Sequence, residues 1–259
     1  MSATVPAVRL RTLGFRYPDG RATIDGVELD VAAGESVGII GPNGAGKTTL
    51  IHLIAGLLAP SSGRVEIRGR ALGAKDDRDL RREIGVVFQE TEDQLFSPTV
   101  FEDVAFGPIH FALDGVPLGE RVARALEKVG LGGFEDRVSH HLSSGERRRV
   151  ALATVLACEP SILLLDEPTS GLDPRGRREL LGLLRGIDET LVVASHDLEF
   201  VLRTCARAVI VDGGRVAASD RTSAILADST TLERHGLEAP LGLRGRSSEE
   251  LDRLVRDDG

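Results

Sequence analysis

The stretch Gly41-Pro42-Asn43-Gly44-Ala45-Gly46-Lys47-Thr48-Thr49 follows the apolar run Ser36-Val37-Gly38-Ile39-Ile40 and precedes the helical pattern Leu50-Ile51-His52-Leu53-Ile54. A G-x-x-x-x-G-K-T segment therefore stands where a strand turns into a helix, which is the context that makes it a phosphate cradle rather than a glycine-rich turn. Glycines at 41, 44 and 46 let successive backbone N–H groups converge on an anion, and the new helix offers it unpaired donors and a positive dipole end. Lys47 is expected to reach the β- and γ-phosphates of a nucleotide, and the Thr48 hydroxyl to bind Mg²⁺.

Working outward, Ser161-Ile162-Leu163-Leu164-Leu165-Asp166-Glu167-Pro168 is a short apolar run ending in two carboxylates. A strand buried on both faces of a parallel sheet has this appearance, and it delivers its acids to the carboxyl edge of the sheet. Asp166 is expected to hold Mg²⁺, and Glu167 to face the water that attacks the γ-phosphate, as general base or orienter. Leu142-Ser143-Ser144-Gly145-Glu146 feeds the helical run from Arg147 to Leu156, a second small-residue turn at a helix start. One nucleotide does not need two cradles from one chain. The second is expected to serve the nucleotide held by another copy.

At these residues the chain resembles the ATP-binding cassette (ABC) ATPases, over Val8 to about Ala217 and with the motifs in the expected order. The resemblance implies an α/β P-loop fold with a mainly parallel core sheet, an antiparallel β-subdomain and a helical subdomain. It implies two ATP molecules bound at a dimer interface and Mg²⁺ beside each. Tyr17 is then expected to stack on adenine, Gln89 to sense the γ-phosphate and touch the metal, and Ser143 and Gly145 to close over the partner's γ-phosphate. Ser144 and Glu146 complete that signature, departing from the usual Leu-Ser-Gly-Gly-Gln. Asp173, in Ser170-Gly171-Leu172-Asp173, is expected to line the subunit contact, and His196 to hold the transition-state phosphate.

Strand-like patterns at Val8 to Val31 and Val65 to Ile67 suggest the antiparallel unit, and Gln89 to Leu142 reads as a helical insertion with its clearest helix at Leu118 to Val129. Strands are expected at 162–166, 190–194 and 207–211, with short helices beyond about Val216. The cassette is set at 5–240, its helical subdomain at about 90–145, and 241–259 as a short charged tail expected to fray from Ser247. The segment from Phe88 to Pro108 resembles the ATPases of energy-coupling factor (ECF) importers. In them Gln94, Leu95 and Phe96 belong to a short helix that contacts the transmembrane coupling subunit. The signature and the tail from Leu232 to Leu241 look most like cobalt and nickel importer ATPases.

Composition sets the limits. The net charge of −8 gives no footing for a protein that lives on nucleic acid. Cys158 and Cys205 are too few for a disulfide framework and lack metal spacing, so both are read as core. His140 and His141 are read as a solvated loop, and Arg147-Arg148-Arg149 as a solvated or inter-subunit face. No stretch approaches the ~20 apolar residues that span a bilayer. The expected protein is a peripheral ATPase on the cytoplasmic face of the membrane, a homodimer or one of a pair, working with a coupling subunit and a substrate-binding membrane subunit. Competing expectations are the same motor in a vitamin importer, a soluble ABC protein acting on DNA or the ribosome, and a nucleotide-dependent kinase.

Overall fold

The computed structural model describes residues 5–20, 22–73, 77–113 and 115–257; Lys75 and the last two residues of the expected tail lie outside them. The first layer is an antiparallel sheet in the order β2-β1-β4-β5, made of β1 (Val8–Arg16), β2 (Ala22–Val31), β4 (Ser62–Ile67) and β5 (Arg70–Ala71). The second is a six-stranded sheet in the order β10-β9-β3-β8-β7-β6. Its members are β3 (Ser36–Ile40), β6 (Ile84–Val87), β7 (Ile162–Asp166), β8 (Thr190–Ala194), β9 (Arg207–Asp212) and β10 (Arg215–Arg221). All its pairs are parallel except β9 with β10.

The central strands are apolar at nearly every position because both faces are covered. Ile162 and Leu164 of β7 point into one core with Val37 and Ile39, whereas Leu163 and Leu165 enter the other with Ile40. The first core is closed by α1 (Lys47–Ile54) and the antiparallel sheet, beside the short α2 (Arg78–Arg82). The second core is closed by α3 (Val100–His110), α4 (Leu118–Lys128), α5 (Ser144–Leu156), α6 (Pro174–Arg185) and α7 (Leu198–Thr204), then by α8 (Thr222–Ala227) and α9 (Ser229–Arg234). Cys158 and Cys205 are buried as expected, and loss of water pushes their thiols up to about 11 and about 12.

Two boundaries differ from the sequence reading. The last strand runs on to Arg221, paired antiparallel along β9. The charged stretch expected to fray from Ser247 is instead helical over α10 (Ser248–Asp257). Ser247 accepts from the Glu250 N–H while the Glu250 carboxylate accepts from the Ser247 N–H, and Leu251 is fully buried against the second core.

Candidate functional site

The first cradle forms where β3 ends. Gly46 takes the left-handed region at φ 104° and starts α1 without any side-chain cap, so the first amides of the helix stay available to an anion. Gly41 lies so close to β9 that a Cβ there would meet the Val211 carbonyl oxygen at 2.1 Å. Lys47 is buried, and its Nζ donates to the carbonyls of Gly41 at 2.9 Å and Pro42 at 3.2 Å. Burial draws its pKa down, while Glu167 and Asp166 pull it back up. The loop borders a cleft of about 530 Å³, with Tyr17 and Thr23 at one rim and Gln89 and His196 at another. The Tyr17 hydroxyl lies 3.2 Å from Thr49 Oγ1, and its ring meets Phe15 edge-on.

The two acids at the end of β7 face the same loop. Thr48 Oγ1 donates to Asp166 Oδ1 at 3.1 Å, and burial raises the Asp166 pKa. Glu167 sits at φ 44°, a strained backbone for a side-chain-bearing residue. Its N–H donates to the Ala194 carbonyl at 2.8 Å. One carboxylate oxygen, Oε2, accepts from Ser195 Oγ and the His196 N–H, both at 3.2 Å, and lies 2.8 Å from His196 Nδ1. The rest of the His196 ring is open to solvent. This gathers Lys47, Thr48, Gln89, Glu167 and His196 around one cleft, with Asp166 beneath it.

Arg148 was not among the expected site residues, and it is the principal correction to the basic run. It is 4% exposed, and its guanidinium donates to the Phe88 and Gln89 carbonyls at 2.6 and 2.7 Å and to Ser170 at 3.4 Å. It thereby ties the Gln89 loop to the segment after Glu167. Burial lowers its pKa, against Glu90 and Asp166. Arg147 donates to the Leu142 carbonyl and Arg149 bridges Glu179, so the three arginines have three different surroundings. The available signal was helical geometry: three successive residues point about 100° apart, so they cannot share one face.

The second cradle stands apart, in a cleft of about 300 Å³ lined by Ser143, Ser144, Gly145, Glu146 and Asp173 that shares no lining residue with the first. Ser143 caps α5 by accepting from the Glu146 N–H. The Glu146 carboxylate in turn accepts from the Ser143 N–H at 2.8 Å and hydroxyl at 2.7 Å. Those bonds from Ser143 hold Glu146 below the usual carboxylate range. Asp173 caps α6 through the Gly176 N–H. His140 and His141 are exposed, as expected, and no cluster of possible metal ligands occurs among the described residues.

The expected contact trio divides. Only a 3₁₀ turn, Thr91–Asp93, precedes Gln94. Gln94 Nε2 donates to the Ala151 carbonyl and Thr154 Oγ1, and Leu95 is 2% exposed. Both are core. Phe96 is 60% exposed, and its ring meets Phe106 edge-on at 5.1 Å; Phe106 and Ile109 are 53% and 63% exposed. Phe106 and Ile109, with Phe101, border a largely apolar groove of about 460 Å³. The Thr99–Glu102 capping box fixes the start of α3, and buried Asp103 accepts from the Phe96 and Ser97 amides and the Ser139 hydroxyl.

Residues 24–170 match the ABC transporter family. A protein of Streptomyces avermitilis that carries the name of an ABC transporter ATP-binding protein is 49% identical over 94% of this chain and 93% of its own length. The energy-coupling factor transporter ATP-binding protein EcfA of Methanothermobacter thermautotrophicus is 41% identical, over 95% of this chain and 79% of its own. Among solved structures, CbiO1 from Clostridium perfringens, part of the ABC transporter complex CbiONQ, superposes with a TM-score of 0.78. It is 32% identical and covers 97% of this chain and 99% of its own. A dimeric post-hydrolysis structure of the ATP-binding cassette MJ0796, bound to ADP and Pi, superposes at 0.75 and 29% identity over 83% of this chain and 98% of its own.

Proposed function

We propose that this chain, which belongs to the ABC transporter ATP-binding proteins, powers an ECF-type importer of cobalt or nickel ions from the cytoplasmic face of the membrane. Membership makes it an ATPase whose hydrolysis is coupled to transport. No helix among the described residues is long and apolar enough to cross a membrane, so the membrane path belongs to partner subunits.

In this reading Tyr17 stacks on adenine and the amides from Gly41 to Thr49 enclose the phosphates. Lys47 turns from its two carbonyl partners to the β- and γ-phosphates. The Thr48 hydroxyl, the Asp166 carboxylate and the Gln89 amide form an all-oxygen donor set suited to a hard divalent cation such as Mg²⁺. That ion supplies charge neutralisation on the phosphate oxygens. Glu167 accepts the proton of the attacking water, held in place by Ser195 and His196. His196 also contacts the γ-phosphate. Ser143 and Gly145 of a second cassette, with Ser144, Glu146 and Asp173 around them, close over that phosphate.

The observation that carries the transport reading is the exposed patch of Phe96, Phe106 and Ile109. It lies on the segment that begins at Gln89, whose carbonyl Arg148 holds. An apolar anchor there can transmit closure of the nucleotide cleft to a coupling subunit. The cobalt or nickel assignment rests on the resemblance of 142–146 and 232–241 to such ATPases, and the likeness to CbiO1 supports assembly into a transporter complex. The identity to EcfA supports the energy-coupling factor class without specifying a cargo, and a second reading is the same motor with a vitamin cargo.

The test is a Phe96→Ser, Phe106→Ser double variant. ATP binding by the isolated chain should persist, while association with the membrane subunits falls about thirtyfold or more if either ring is an anchor worth ~2 kcal/mol. Uptake of radiolabelled cobalt or nickel should fall with it. Unchanged assembly removes the patch from the contact. Normal assembly of the unaltered protein with vitamin but no metal uptake replaces the cargo.

A further inference from the structure

Beyond residue 221 the described residues form three helices, α8 to α10, and a link from them runs to the nucleotide cleft. α9 ends in a Schellman motif: the Leu237 N–H donates to the Leu232 carbonyl at 2.8 Å and the Gly236 N–H to the Glu233 carbonyl at 3.1 Å. Gly236 takes φ 66°, which suits glycine, and Leu232 is fully buried. The turn is therefore fixed at both ends and presents His235 in one direction. His235 Nδ1 lies 2.9 Å from Asp212 Oδ2, and the imidazole is mostly buried. A carboxylate only accepts, so Nδ1 carries the proton of this bond.

Asp212 is the last residue of β9, and the turn after it belongs to the ATP site. Gly213 and Gly214 line the nucleotide cleft. The Gly214 N–H donates to the Ala45 carbonyl of the phosphate loop at 3.2 Å, and its carbonyl accepts from the Asp25 N–H. One residue before Asp212, the Val211 carbonyl packs on Gly41. On the other side of His235, a Cβ at Gly236 would lie 3.9 Å from Pro42 Cβ. The phosphate loop is thus met at Gly41 and Ala45 by the 211–214 segment, and Gly236 lies near Pro42; the His235–Asp212 bond joins the two segments.

We propose that His235 is a positioning residue for ATP: through Asp212 it sets the 212–214 turn, and so links the C-terminal helices to the shape of the phosphate loop. The inference rests on the 41–49 cleft being the ATP site, whose failure would show separately as no ATP binding by the parent chain. Anything that shifts α9 would then change nucleotide affinity at a distance, without touching ATP.

The experiment measures Mg·ATP binding by calorimetry and steady-state ATPase kinetics on the full chain. His235→Ala should raise the dissociation constant and KM about fivefold or more, while kcat changes less than about twofold and the thermal midpoint stays within a few degrees. His235→Asn, which can place an amide N–H near the Nδ1 position, should restore most of the affinity. Asp212→Ala should reproduce His235→Ala, and the double variant should bind no worse than either single one. Parent-like affinity in His235→Ala overturns the proposal, as does additive loss in the double variant or failure of asparagine to rescue. Should His235→Ala prove insoluble, the exposed Asp212→Ala decides alone: parent-like ATP affinity there overturns it equally.

Discussion

Lys47, Asp166 and Glu167 are buried where the phosphate loop meets the ends of the central strands, whereas Ser143 and Ser144 stand exposed at a helix start whose polar groups already bond to one another. Burial lowers the Lys47 pKa and raises that of Asp166, so these two charges are short of the solvation or counter-charge that would support them. A phosphate and its cation supply both. The signature lacks this shortage because Ser143 and Glu146 satisfy each other. In the proposed function, binding strength then resides in the first cleft, and the second gains a ligand when another cassette brings one.

The largest effect that could break this division is at Glu167. Glu167→Gln keeps the neighbouring phosphate ligands but removes the base, so ATP should still bind while hydrolysis falls by roughly 10²- to 10⁴-fold. Single-turnover assays check this; parent-like turnover would move the base elsewhere. A smaller effect tests whether the two clefts work across a dimer. Lys47→Ala chains spoil the first cleft and Ser143→Arg chains the second, so each alone should be nearly inactive. Mixed in equal amounts, random pairing leaves one intact composite site in half of the dimers, or about a quarter of parent activity. No recovery, with exchange of subunits verified, would place both clefts' work within one chain.

The smallest effect sharpens the description of the signature as self-satisfied. Glu146→Ala should cost about 0.5 kcal/mol of stability at neutral pH, as one capping element. Because the folded-state pKa of Glu146 lies below its ordinary value, its contribution is present above the ordinary carboxylate range and is lost as pH falls through the folded value. Thermal denaturation of parent and variant should therefore converge in acid. A gap that persists there would mean that packing, not the charge-assisted cap, sets the cost.

Most of the candidate nucleotide site could be placed from the sequence because its residues are local. A strand, a glycine-rich turn and a lysine are adjacent in sequence, and Asp166-Glu167 end an unmistakably buried run. What escaped depends on partners far away. Leu95 and Phe96 are neighbours of similar character, and only the packing of α3 and α5 sends one inward and leaves the other to meet Phe106. Arg148 hides in a run of three arginines because its acceptors are backbone carbonyls, which leave no side-chain signature. The C-terminal helix did carry a signal: Ser247 and Glu250 have capping-box spacing ahead of Leu251, Leu254 and Val255. Its high charge masked that pattern.

The strand order also has a consequence in time. β3, which carries the phosphate loop, lies between β8 and β9, and the loop's first glycine packs on Val211. A ribosome adding about 5–20 residues per second needs roughly ten to thirty seconds to travel from Ile40 to Val211. Until Thr190 is made, β3 has left the synthesis centre with neither of its sheet neighbours, and until Arg207 it still lacks β9. A nascent chain therefore holds an apolar strand and an unbraced phosphate loop for most of its own translation, and ATP can reward folding only near the end.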